Sequence, residues 1–107
     1  MSMRRLIEAA EGDNLRGAGK NMARANLKGA NLTDAYLRNA IFHKADLTNA
    51  DLGQAILKDA TLAGADLSSA NLTGARLYNA NFENADFTLA RNLDKAKWPK
   101  GYRLVKE

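Results

Sequence analysis

The chain has 107 residues, no cysteine and a formal net charge of +4. That length predicts a single domain, and the absence of cysteine excludes a disulfide framework or a thiolate metal site. The charge is uneven: five basic and three acidic residues in 1–24, five and seven in 25–89, six and two in 90–107, so the body is net −2 and both ends are basic. A basic nucleic-acid groove along the body is therefore not expected, because phosphate binding needs clustered Lys and Arg.

The N-terminal segment opens with Arg4-Arg5, but Glu8 interrupts the adjoining apolar run. No signal peptide is expected from that pattern, nor does any stretch approach the ~20 apolar residues of a membrane span. The expected location is the cytoplasm. Residues 3–11 predict a short amphipathic helix, with Ser2 as N-cap and Leu6, Ile7 and Ala10 covering the first coil of the repeat region. Gly17-Ala18-Gly19-Lys20 has a faint look of a phosphate loop. It lacks the upstream glycine and the hydroxyl residue after lysine that such loops use.

From residue 20 a five-residue period takes over. Alanine recurs at every fifth position from Ala25 to Ala85, and Ala90 continues the series. Two residues after each comes a large apolar residue: Leu27, Leu32, Leu37, Phe42, Leu47, Leu52, Leu57, Leu62, Leu67, Leu72, Leu77, Phe82 and Phe87, with Met22 as an earlier centre. Neither regular element fits this period. A helix would smear the leucines around its cylinder, and a continuous strand would put successive leucines on opposite faces. Each unit must contain a bend. Alanine and leucine, two apart, point inward with Asn or Asp between them pointing out, and the last two residues turn the chain. Gly29, Asp34, Asn39, Asn49, Asp59, Gly64, Gly74, Asn79 and Asn84 close nine of the units. These residue types tolerate the backbone of tight corners. An identical bend every five residues winds a solenoid. Likeness at twenty-residue intervals, as in Asp46, Asp66 and Asp86, suggests four sides per coil.

These A-[DN]-L-x-x units over residues 20–90 resemble the pentapeptide-repeat family. The resemblance implies an all-β, right-handed, four-sided β-helix of about three and a half coils. An imperfect unit, Asn14-Leu15-Arg16-Gly17-Ala18, would precede it, offset by an insertion at Gly19-Lys20. The expected organisation is one domain: an N-terminal cap and imperfect repeat over 1–19, tandem units over 20–90, and an irregular or helical C-terminal cap over 91–107. The tail Lys97-Trp98-Pro99-Lys100-Gly101-Tyr102 looks like that of many cyanobacterial members. Trp98 and Tyr102 are expected to act as a lid over the last coil or as a dimer contact, since an open solenoid end invites end-to-end stacking.

No catalytic set can be assembled. His43, the single histidine, follows an inward Phe42 and should face solvent. The Asp46, Asp66 and Asp86 column, with Asn26 above, is expected to bond to nearby backbone, and a flat ladder does not supply the convergent oxygens of a cation site. The Asn-Leu-Thr triplets at 31–33 and 71–73 are by-products of the repeat. One face differs from the rest: Tyr36, Ile56 and Arg76 form one column, Arg38, Lys58 and Tyr78 its neighbour. Tyr and Arg are enriched at interaction hot spots, which makes this face the candidate protein-binding site. The expected function is a non-catalytic structural or protein-interaction module without cofactor, monomeric or an end-to-end dimer. The alternative implied by the resemblance is a DNA-duplex mimic acting on DNA gyrase, disfavoured by short length and basic ends.

Overall fold

The computed structural model describes residues 18–102. The expected N-terminal helix and the expected unit around Leu15 lie outside the described residues. Within them the chain is held together by parallel bridges between residues twenty apart, from Asn21↔Ile41 to Asn71↔Arg91. Four pentapeptides therefore make one coil. Residues 21–40, 41–60 and 61–80 form three regular coils, and a fourth begins at Asn81.

Corners follow from one backbone rule. Every fifth residue from Gly19 to Leu89 has a positive φ, between 55° and 69°. The alanine after it donates its N–H to the carbonyl of the preceding leucine, as in Ala40 N to Leu37 O at 3.1 Å. A positive φ at the third position of a four-residue turn is the type II pattern. Gly, Asn and Asp enter it cheaply, yet Arg24, Lys44, Gln54, Ser69 and Leu89 adopt it too. Coil closure thus overrides local preference at five corners. Gly19 and Lys20 sit in regular corner and side positions: Gly19 N donates to Arg38 O, and Lys20 O accepts from Ile41 N. They are not an inserted pair.

Three inter-coil hydrogen bonds recur in each unit, as in Leu37 N to Ile56 O, Asn39 N to Lys58 O and Ile56 N to Ala35 O, at 2.8–2.9 Å. A side is only three extended residues long between corners, so it makes single bridges rather than extended strands. The β character of the solenoid lies in this stacking of bridges. Numbered in chain order from residue 21, side 1 carries Met22, Phe42, Leu62 and Phe82 inward, side 2 Leu27, Leu47, Leu67 and Phe87, side 3 Leu32, Leu52 and Leu72, and side 4 Leu37, Leu57 and Leu77. Leu32 through Leu77 and the alanines between them are essentially inaccessible to water. Alanine at every second inward position leaves room for the large residues; a larger one would overpack the interior.

The last coil departs from the period. Arg76 bridges Lys97 rather than residue 96. The extra residue is absorbed by Asn92, left-handed at φ 60°, and a 3₁₀ turn at Leu93–Lys95. Trp98 thereby arrives where the side 4 column needs its next large residue after Leu77. Gly101, at φ +87°, allows the turn in which Tyr102 N donates to Pro99 O at 3.0 Å. The turn folds Tyr102 back onto Trp98, with ring centroids 5.0 Å apart. Phe82 meets Trp98 and Tyr102 edge-on at 5.4 and 4.9 Å, and Phe87 meets Trp98 at 5.7 Å. The Trp98 indole N–H, half-buried, donates to Leu93 O at 2.8 Å, which satisfies the polar end of the ring.

Candidate interaction face

Each pentapeptide has five backbone N–H groups, one per residue. Three bond to neighbouring coils and one closes the corner. The fifth belongs to the residue after the central leucine. Where Asn or Asp stands just before that leucine, its side-chain oxygen accepts this N–H: Asn31 takes Thr33 at 3.1 Å, Asp46 takes Thr48 at 3.0 Å and Asp51 takes Gly53 at 2.9 Å. The bond is the local Asx turn, and it explains why the repeat favours these two residues. Between residues 23 and 88, ten of the fourteen corners are capped in this way, nine by Asn or Asp and one by Thr61.

The four exceptions are Arg38, His43, Lys58 and Tyr78, each two residues after Tyr36, Ile41, Ile56 or Arg76, none of which has a short side-chain oxygen to accept the bond. Among the described residues these four N–H groups have no acceptor. Three of them, Arg38, Lys58 and Tyr78, stack on side 4, where no corner from residue 38 to 78 is capped. The bridges Tyr36↔Ile56, Ile56↔Arg76 and Arg76↔Lys97 hold the first outward column of that side in register. Tyr36 and Ile56 are half-buried, whereas Arg38, Lys58, Arg76, Tyr78 and Lys97 are exposed. All six residues of the sequence-derived face thus share one side. Lys97 adds a fourth basic group that the sequence hid, because the one-residue slip at Leu93 moved it out of period. Arg38 Nε lies 3.7 Å from Asp59 Oδ2 at the corner, and Asp59 also accepts from Asn79 at 2.7 Å. Both charged side chains reach water, so this pair contributes little.

Side 2, directly opposite, carries Asp46, Asp66 and Asp86 in a bridged column. Each carboxylate turns onto its own corner, accepting the hydroxyl and the N–H of Thr48, Ser68 or Thr88. The Thr48 hydroxyl, then its N–H, holds Asp46 below the ordinary carboxylate value, and Thr88 does the same for Asp86. No three acidic or histidine side chains among the described residues are grouped to hold a metal ion. His43 is exposed on side 1. Among the described residues, no helix is long and apolar enough to cross a membrane.

Coils stacked by single bridges, with one side unlike the others, define a β-solenoid repeat protein. A family model described as pentapeptide repeats matches residues 21–59 and 55–91 in eight copies. The chain belongs to the pentapeptide-repeat family. Among solved structures it is similar to a pentapeptide repeat protein from the Arabidopsis thaliana thylakoid lumen, at 24% identity and a TM-score of 0.76 over 92% of this chain and 64% of that one. It is also similar to one from the cyanobacterium Nostoc PCC 7120, at 22% identity and a TM-score of 0.61 over 94% of this chain and 85% of that one. Likeness at these identities shows the fold alone. A plasmid-mediated fluoroquinolone resistance protein matches at 15% identity with a TM-score of 0.20, which carries no argument for the gyrase alternative. No curated protein matches the chain.

Proposed function

We propose that the chain is a non-catalytic interaction module that offers side 4 to a protein partner. The observation that carries this reading is the convergence of Tyr36, Arg38, Ile56, Lys58, Arg76 and Tyr78, with Lys97, on one side of a stacked scaffold. Such a scaffold orders its contact residues before binding, so little conformational freedom is lost on association. The reading includes right-handed winding, as the family resemblance implies, and action in the cytoplasm. It takes Trp98 and Tyr102 as a lid that keeps the chain monomeric, because their rings pack on Phe82 and Phe87.

The test is affinity capture from a native lysate. Wild type is compared with a variant in which Tyr36, Arg38, Lys58, Arg76 and Tyr78 are all changed to Ser. A protein retained by wild type and lost from a still-folded variant supports side 4 as the site. Equal capture of the same protein by both rejects it.

A further inference from the structure

We propose that side 4 binds an extended acidic segment of a partner protein, whose carboxylates accept from the backbone N–H groups of Arg38, Lys58 and Tyr78. The inference rests on the reading of side 4 as the contact face and names the chemistry of its ligand. At ten other corners the equivalent N–H donates to an outward Asn, Asp or Thr oxygen, so the three on side 4 point outward as well. What the repeat supplies internally elsewhere must come from outside here. A ligand carboxylate is the same acceptor, and a charged acceptor makes the stronger bond.

Charge points the same way. Side 4 carries one cation per coil, Arg38, Lys58, Arg76 and Lys97, and no outward acid between its corners. Coils stacked ~4.8 Å apart spread the three turn donors over roughly 10 Å and the four cations over roughly 14 Å. An extended peptide places every second side chain on one face about 6.8 Å apart, so three alternating carboxylates span about the length of the cation column, and their flexible side chains converge on the donors within it. Tyr36, Ile56 and Tyr78 interleave the cations and offer apolar contact to the intervening chain. A nucleic-acid strand fits less well, because these apolar side chains interrupt the basic column. A second copy of the chain also fits less well: one oxygen of each Asp46, Asp66 and Asp86 carboxylate is already engaged by Thr48, Ser68 or Thr88, which turns the group onto its own corner.

The experiment is an NMR titration of the amide resonances of full-length protein. The probes are an alternating Glu-Thr peptide, its Gln-Thr counterpart and a single-stranded oligothymidylate. The Glu-Thr peptide should shift the amides of Arg38, Lys58 and Tyr78, leave those of the capped Thr33 and Thr73 in place, and weaken as salt is added. The Gln-Thr peptide should bind at least tenfold more weakly. Ile56→Asn, which installs the missing cap on Lys58 and keeps every cation, should weaken binding about tenfold, whereas Ile56→Val should not. No amide shift with the Glu-Thr peptide overturns the acidic ligand, while the capture experiment still judges side 4 independently. Tighter binding of oligothymidylate assigns the side to nucleic acid instead. Association with concentration that Asp46→Asn and Asp66→Asn abolish assigns it to a second copy. Equal loss in both Ile56 variants overturns the role of the backbone donors.

Discussion

Leu89 tests the corner rule directly. It is the fifteenth left-handed corner counted from Gly19, with φ 58°, and its side chain is 79% exposed. A leucine there gains almost no burial and bears the steric clash of its Cβ with the following carbonyl, about 1–2 kcal/mol. Gly removes that clash and gives part of the gain back through the entropy of the unfolded chain, whereas Asn keeps its Cβ but offsets the cost by hydrogen-bonding its short polar side chain to the local backbone. Leu89→Asn and Leu89→Gly should each stabilise by about 1 kcal/mol, and Leu89→Ala, which keeps the Cβ and has no polar group to offset it, by much less. For a domain of this size that is a rise of about 4–6 °C in Tm. Urea unfolding should show the midpoint moving with an unchanged slope. Ser69→Asn, at an internal corner with φ 61°, is the companion measurement. If neither substitution raises stability, the corners are not strained and the reasoning fails. If only Ser69→Asn does, the last coil unfolds ahead of the body and the aromatic lid does not tie it down.

Trp98→Ala removes the ring on which Phe82, Phe87 and Tyr102 all pack. Because Trp98 is half-buried, the expected loss is about 2–3 kcal/mol by urea unfolding, below that of a fully buried tryptophan, with concentration-dependent association by sedimentation. Leu57→Ala, at a fully buried position, should cost about 2–5 kcal/mol, whereas Lys58→Ala on the same unit should be near neutral. Asp46 and Asp86 titrate below their ordinary value of 3.8, first because of the Thr48 and Thr88 hydroxyls. A depressed folded-state pKa stabilises above the unfolded value and loses that contribution as pH falls through the lower folded one. Stability should therefore drop below about pH 4, and Asp46→Asn with Asp86→Asn should flatten that part of the profile.

The solenoid is legible in the sequence because its rule repeats. A five-residue period that suits neither helix nor strand forces a bend, and Ala and Leu two apart force the inward face. Where the period slips, legibility is lost. Lys97 belongs to the side 4 column and Trp98 to the column behind it, but the residue absorbed at Asn92 puts both out of phase with Arg76 and Leu77. Gly19 and Lys20 mislead for the opposite reason. The motif before them looks offset, although their own backbone is already regular. The turn donors of side 4 are invisible in residue types alone. Asn and Asp read as outward polar residues until the structure shows each one bonded to a particular N–H.

That bond links the scaffold to its function. On sides 2 and 3 one oxygen of each outward Asn and Asp is taken up in closing a corner. Side 4 forgoes the same bonds at three successive coils by carrying Tyr36, Ile56 and Arg76. Each omitted cap forfeits about 0.5–1.5 kcal/mol. Tyr36→Asn, Ile56→Asn and Arg76→Asn together should therefore stabilise the fold by a few kcal/mol while abolishing capture of the side 4 partner. A triple variant that gains stability yet still captures the partner would show that the missing caps are incidental. A triple variant that gains nothing would show that the Asx turn contributes less than its repetition suggests. A side that gives up stability in three consecutive coils and gathers its cations and aromatics in those same coils is one on which local folding preference and contact with a ligand compete for the same atoms.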